Sequence, residues 1–385
     1  MRVLFLPCPG AVLAHLIPLI ALASRLDASR HESAFLIPRD FKNVLRQHLN
    51  ILDIQYSREH QFRSEMRARG SFLPDVIVDD MSPTALLTAK LSGTPRVSIR
   101  RTGDFPWRVP SDPTYCHSSG VLNFEQYYRN VEAVCGISAP KSLPEVCAGD
   151  MNIIPGISRV EVLPARLCND PRYVFAGGLM VPDSFLPCAG LDALMTFLQK
   201  NQQRKVVYLT LGTTMKPDER FREIIRSMLD IGVAVISSVD LPDVNSLRNE
   251  IFLHASFLPL DTVCARIDLM VHHCGSGTYQ YAIKHKVPSI CIGSRCYDRD
   301  DVAKRLEELG AARYIPSEAT GFIERFRALL SDCLDSSDTW YEKSRQSLEV
   351  LRAENDRTAA AFDFEAVLNS AVLLERGETS PTRLL

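Results

Sequence analysis

Apolar residues run consecutively in short stretches: RVLFLP (2–7), SAFLIP (33–38), DVIVDD (75–80), RVSIR (96–100) and MNIIPG (151–156). The pattern restarts after residue 200 with KVVYLTLG (205–212), VAVISSV (233–239), LMVHHCG (269–275) and SICIG (289–293). Stretches this apolar on successive residues, separated by helix-length amphipathic spacers, predict parallel strands covered on both faces. The chain is therefore expected to be α/β, with two doubly wound, Rossmann-like parallel-sheet domains facing a cleft. Glycines and prolines interrupt the periodicity in YVFAGGLMVPDSFLPCAG (173–190). That break divides the chain into domains 1–180 and 181–355. A helix over 356–385 is expected to cross back to the first domain and end in a polar tail, ERGETSPTRLL.

Composition narrows the function classes more than it names one. With 46% hydrophobic and 23% charged residues the chain reads as globular, and a formal net charge of -2 gives no electrostatic reason to expect nucleic acid or an anionic membrane. A small neutral or locally recognised partner fits better. Pro7, Pro9 and Gly10 break the early apolar run, so the N-terminus reads as strand, loop and helix and not as a signal peptide. No run approaches the roughly 18 apolar residues of a membrane span, and the expected location is cytoplasmic. The eleven cysteines are odd in number and scattered, without a Cys-x-x-Cys pair. Reduced thiols are expected in place of a zinc ribbon or a disulfide framework.

Motifs at strand ends are where chemistry is sought in open parallel sheets. In HHCGSGT (272–278), Gly275 and Gly277 permit a tight turn and close approach to a ligand, and the helix opening at Thr278 offers free N–H groups to a phosphate. A plain connector is the alternative. His272 and His273 are neighbours on a strand and point to opposite faces, so they cannot easily share an ion, and no second ligand pair appears at metal spacing. No metal is expected, and His272 is expected to pack. In VVYLTLGTT (206–214), Gly212 and Thr213 make a second strand-end loop that could equally be a helix N-cap.

Residues 257–315, from FLPLDTVCARIDLMVHHCGSGT to RLEELGAARYI, resemble the donor-binding signature of the UDP-glycosyltransferase-like superfamily of GT-B glycosyltransferases, in particular its bacterial natural-product (macrolide and antibiotic) members. PCPGAVLAHLIPLIALASRL (7–26) is similar to the superfamily's Gly-His-x-x-Pro-x-x-x-Leu-Ala stretch. The resemblance implies a metal-independent, inverting transfer of a sugar from a dTDP- or UDP-sugar to a hydroxyl of a small secondary-metabolite acceptor, by a monomer or homodimer. It makes His15 the general base, a role an imidazole suits because its pKa lies near the operating pH. Alignment on Pro83 makes Asp79 the carboxylate that steadies it, with Asp80 as rival. His273, Gly275, Ser276, Gly277 and Thr278 match the diphosphate contacts, Gly212 and Thr213 lie nearby, and Phe257 matches an aromatic platform for the base.

Three departures accompany the resemblance. Tyr281 stands where many UDP-sugar users have a ribose-binding Glu, which favours a deoxyribose donor such as a dTDP-sugar. Asp298-Arg299 stands for the sugar-contacting Asp-Gln pair, behind a one-residue insertion in GSRCY, and Arg cannot accept the hydrogen bonds that Gln can. Ala14 replaces the Gly before the base. Asp298-Arg299-Asp300 also spells the Asp-x-Asp of another glycosyltransferase fold, but follows a parallel strand and is discounted. Trp107 and the aromatics of FEQYYRN (124–130) are candidates for an acceptor pocket or for packing. A sugar-nucleotide epimerase of the same fold and a non-catalytic GT-B partner protein are the competing functions.

Overall fold

A computed structural model describes residues 1–8, 12–38, 49–56, 60–105, 128, 135–185, 190–212, 217–242, 250–256, 258–335 and 339–377. The chain forms two compact units, Met1–Val181 with Asn355–Leu385, and Pro182–Glu354.

The first unit runs β1 (Arg2–Pro7), α1 (Val12–Ala23), β2 (Glu32–Phe35), α2 (Gln61–Phe72), β3 (Val76–Asp80), α3 (Ala85–Ser92), β4 (Arg96–Ile99), α4 (Leu143–Cys147), β5 (Met151–Ile154) and β6 (Tyr173–Phe175). All pairings are parallel, in the order β2-β1-β3-β4-β5-β6. One face of this sheet carries Leu4, Leu6, Ala34 and Ile77 against Ala68 and Phe72 of α2 and Ala85 and Ala89 of α3. Alternation along β3 puts Val76, Val78 and Asp80 on the other face, toward α1.

The second unit contains α5 (Leu191–Lys200), β7 (Val206–Thr210), α6 (Glu219–Asp230), β8 (Ala234–Ser237), β9 (Phe252–His254), α7 (Leu260–Cys264), β10 (Leu269–His272), α8 (Ser276–His285), β11 (Ser289–Ile292), α9 (Tyr297–Glu308), β12 (Ala312–Ile315), α10 (Phe322–Leu334) and most of α11 (Thr339–Ala361). Its order, β12-β11-β10-β7-β8-β9, is again parallel throughout and is the Rossmann arrangement. The chain's last described helix, α12 (Phe364–Glu375), packs on β3, β4 and β5 of the first unit through buried Phe364, Val367, Leu368 and Ala371. Asp363 caps it by accepting from the N–H of Ala366 at 2.9 Å. Among the described residues no helix is long and apolar enough to cross a membrane.

The two doubly wound sheets match the fold expected from the apolar runs. Strands β6, β9 and β12 are additions: YVF was expected to belong to the break between domains and is an edge strand instead. Edge strands need cover on fewer sides, so β6 is only half-buried and three residues long, and the apolar run of β12 is broken by Arg313.

Candidate active site

Ligands of open parallel sheets bind at the carboxyl ends of the strands where the strand order reverses. In the first unit that point lies between β1 and β3, whose ends are in register at Pro7 and Asp80. The turn after β1 leads into α1, and His15 stands in its opening turns. The His15 Nδ1–H donates to Asp80 Oδ1 at 2.7 Å; because an ionised carboxylate only accepts, the neutral ring keeps its lone pair on Nε2.

The residue paired with His15 is Asp80, which corrects the expectation of Asp79. Successive side chains of a strand leave on opposite faces, and α1 covers the face of Asp80. Asp79 points the other way into a closed structural network. It accepts from Arg96 Nε at 2.7 Å and Nη2 at 3.1 Å, from Ser98 Oγ at 2.6 Å and from the N–H of Ser82 at 3.2 Å. Arg96 in turn donates to the carbonyl of Val146 at 2.8 Å, tying β3 and β4 to α4.

Arg101, just past β4, had no place in the sequence reading. Its guanidinium grips Asp80 with both Nη atoms, the Nη2–Oδ2 contact being 2.8 Å. Burial alone would raise the Asp80 carboxyl, but Arg101 and His15 outweigh it and hold the group below the usual carboxylate range, so it stays charged. Pro18 lies inside α1 and has no N–H for the carbonyl four residues back, which is that of Ala14. Arg101 Nη2 reaches that carbonyl at 3.4 Å. Nothing but its position after an apolar strand could have singled out Arg101 in the sequence.

In the second unit the order reverses between β7 and β10, where Thr210 and His272 are in register. His273 follows β10 and is buried. Burial first, then the charge of Arg299, holds its pKa well below the ordinary value, so the ring is neutral at pH 7. Two glycines frame the imidazole. A Cβ on Gly212 would lie 2.9 Å from His273 Cε1, and one on Gly275 2.8 Å from Nε2. Gly212 also has φ +61°, in the left-handed region, whereas Gly275 has an ordinary φ of -61° as N-cap of α8. Gly275 is therefore required by the ring and not by its own backbone.

Gly277 differs from both. It is exposed, and a Cβ there would meet no protein atom within 4 Å. Ser276 is half-buried and Thr278 buried in the first turn of α8; the Thr278 N–H donates to the Gly275 carbonyl at 2.8 Å, and the N–H groups of Ser276 and Gly277 precede any intrahelical acceptor. Tyr281 is buried three residues on, its hydroxyl pushed up by burial and by the carboxylates of Asp261 and Asp183. Arg299 is also buried and close enough for its charge to act on His273. Asp300, in contrast, is committed to the loop: it accepts from the N–H of Ser294 at 2.8 Å and of Arg295 at 3.2 Å, the latter at φ +55°. Those bonds close the turn made by the GSRCY insertion. Thr213, Phe257, Trp107 and the side chain of Asp298 lie outside the described residues. Tyr128 of FEQYYRN is buried and donates to the carbonyl of Pro83 at 2.9 Å, a packing role.

His272 is packed, as expected, but in company that the spacing did not show. It lies in register with Cys291 of β11, and Cys274 follows it by two residues. The Cys291 thiol is drawn down to about 6, first by the Cys274 thiol and also by His272, against the effect of burial.

Residues 223–348 match the family model described as "Erythromycin biosynthesis protein CIII-like, C-terminal domain". The chain is 26% identical over 141 residues to the aclacinomycin-T 2-deoxy-L-fucose transferase of Streptomyces galilaeus, a match covering 35% of this chain and spanning about a third (32%) of that protein's length. Among solved structures it resembles spinosyn forosaminyltransferase SpnP, with a TM-score of 0.70, 18% identity and 98% of each chain covered. It also resembles spinosyn rhamnosyltransferase SpnG complexed with thymidine diphosphate, with a TM-score of 0.66, 19% identity, and 98% of this chain and 100% of that one covered. The two six-stranded parallel sheets and these likenesses bear out the resemblance drawn from the sequence: the chain has the GT-B fold of the natural-product glycosyltransferases.

Proposed function

We propose that the chain is an inverting, metal-independent glycosyltransferase that moves a sugar from a dTDP- or UDP-sugar to a hydroxyl of a small secondary-metabolite acceptor. Residues 1–180 with 356–385, which include α12, serve the acceptor, and 181–355 serve the donor. The observation that carries the reading is the buried His15–Asp80 pair at the switch point of the first unit, an imidazole whose Nε2 is left as a proton acceptor. His15 Nε2 takes the proton of the acceptor hydroxyl as its oxygen attacks the anomeric carbon from the face opposite the leaving diphosphate. Asp80 keeps the ring in the required tautomer and balances the imidazolium, and Arg101 fixes Asp80.

Charge on the leaving diphosphate is met in the second unit by the N–H groups that open α8 at Ser276 and Gly277, by Thr278, and by the neutral ring of His273. Donors fixed in advance need no reorganisation when the charge develops. Arg299 adds the formal charge, in a planar fork suited to phosphate or to a carboxylate on the sugar. Tyr281, buried where a ribose-binding carboxylate is common, supports a deoxyribose donor, and the thymidine diphosphate bound to SpnG supports the same nucleotide.

The test is mass spectrometry of purified protein with a panel of dTDP- and UDP-sugars and candidate aglycones, with and without added Mg(II), followed by NMR of the product's anomeric centre. The expected result is a glycosylated product of inverted anomeric configuration, formed at the same rate without the ion. His15→Ala should remove transfer while calorimetric affinity for dTDP stays within about twofold, since uniform binding is untouched by loss of the base. Wild-type turnover in His15→Ala would refute the assignment of the base.

A further inference from the structure

Beneath the glycine turn of the second unit lie three side chains that the transfer chemistry does not use. His272 on β10 and Cys291 on β11 are directly in register on neighbouring parallel strands, so their side chains leave the sheet on one face. Cys274 follows His272 by two residues and turns back over it through a left-handed φ of +57°. All three are buried. The Sγ atoms of Cys274 and Cys291 are 3.9 Å apart, Cys291 Sγ is 3.9 Å from His272 Nε2, and one ligand atom from each residue falls within 4.8 Å of the others. We propose that His272, Cys274 and Cys291 form a binding site for a thiophilic divalent ion of the zinc type.

Distances decide between an ion and the other product of two close thiols. Tetrahedral zinc with Zn–S bonds of about 2.3 Å sets its sulfur ligands roughly 3.8 Å apart, within about 0.1 Å of the observed spacing. A disulfide needs about 2.05 Å, so the two sulfurs would have to close by nearly half their separation in a packed strand end. The two sulfurs need not move for the ion, and the ring has to close on it by a few tenths of an ångström from the 3.9 Å that now separates His272 Nε2 from Cys291 Sγ.

Ring chemistry sets the proton balance. The N–H of Cys274 donates to His272 Nδ1 at 3.0 Å, so the free ring carries its proton on Nε2, toward Cys291. On uptake of the ion each thiol releases its proton, the ring moves its own to Nδ1, and Nε2 becomes a ligand; one divalent ion replaces two protons. The Nδ1–H and the Cys274 N–H then face one another as two donors, so the ring has to turn away from that N–H; two unpaired buried donors cost roughly several times the net worth of one hydrogen bond, less than thiolate–zinc bonding supplies. Three protein ligands leave one coordination position for water or a small anion.

Cys274 immediately precedes Gly275, the N-cap of α8, so an ion held here pins the turn that aims the N–H groups of Ser276 and Gly277. The role is structural, and it stands apart from the transferase reading because its readout is metal binding and not turnover. The experiment is titration of chelator-stripped, reduced, full-length protein with Co(II). The expected result is one ion per chain with tetrahedral d–d bands and a thiolate charge-transfer band, displaced by Zn(II). Cys291→Ser and Cys274→Ser should each weaken Zn(II) by about 100-fold or more, beyond what loss of an outer partner does. Cys168→Ser, an exposed control, should bind as wild type. A thermal shift of the wild type by Zn(II), absent in His272→Gln, covers the case in which a cysteine variant fails to fold. No tetrahedral spectrum, or an unchanged one in folded Cys291→Ser, would overturn the site.

Discussion

The carboxylates of Asp79 and Asp80 leave one strand on opposite faces, and their partners set opposite expectations for substitution. Asp79 neutralises Arg96 in a site where both are buried and every contact is to the scaffold. Removing one member of a buried pair leaves the other charge uncompensated, at a cost of about 3–5 kcal/mol. Asp79→Ala should therefore lower the denaturant midpoint markedly, while the fraction that folds turns over at the wild-type rate. Asp80→Asn keeps the shape but can present an N–H to His15 and favour the wrong tautomer. Turnover per folded molecule should fall by about 100- to 10,000-fold with little change in dTDP affinity. If Asp79→Ala lost turnover per folded molecule and Asp80→Asn kept it, the two roles would have to be exchanged. The sequence could not separate them, because β3 is buried on both faces and Val76, Ile77 and Val78 give no polar side from which to count.

At the scale of elements, the strands easiest to read are central ones that carry no polar network, since a parallel strand covered on both faces is then apolar on successive residues. RVLFLP and KVVYLTLG announce themselves for that reason, while YVF and ARYI, at or near an edge, carry too weak a pattern. The same logic governs the site. HHCGSGT stands out because histidines and glycines at a strand end are chemically conspicuous, and His15 stands out only through the likeness of its stretch to a family motif, whereas Arg101 and Cys291 acquire meaning only once β4 lies beside β3 and β11 beside β10. The glycines of α8 and its approach give a test of what each is for. Gly275→Ala places a Cβ against the His273 ring and must displace it, so dTDP binding should weaken by about 10- to 100-fold, the scale of a misplacement near 1 Å. Gly277→Ala meets no protein atom and removes a flexible residue from a helix, so the protein should be as stable as wild type or slightly more so. It should nonetheless bind dTDP more weakly, because the methyl would stand in the path proposed for the diphosphate. Equal calorimetric affinities for wild type and Gly277→Ala would place the diphosphate elsewhere.

The whole molecule responds to acid through groups in different units. In the first unit the Asp80 carboxyl is held below its unfolded value, so its contribution is present above about pH 3.9 and is lost as pH falls further. In the second unit His273 is held neutral by burial and by Arg299, with a folded pKa well below that of the unfolded chain. Below about pH 6.5 the unfolded chain takes up a proton that the folded ring refuses, and the second unit loses stability while the Asp80 network is still intact. The slope is set by one proton, about 1.4 kcal/mol per pH unit once the unfolded imidazole is fully protonated and until the folded ring titrates. His273→Gln has no such proton to exchange. The difference in unfolding free energy between wild type and His273→Gln, followed by denaturation from pH 7.5 to 5, should shift against the wild type as the pH falls, with that slope at the acid end. Saturating dTDP should raise the wild-type curve, because a ligand bound only by the folded unit stabilises it by mass action, and should raise the variant less. Parallel curves across the range would show that His273 titrates in the folded protein as it does unfolded, and the neutral ring assigned to the diphosphate would then be lost.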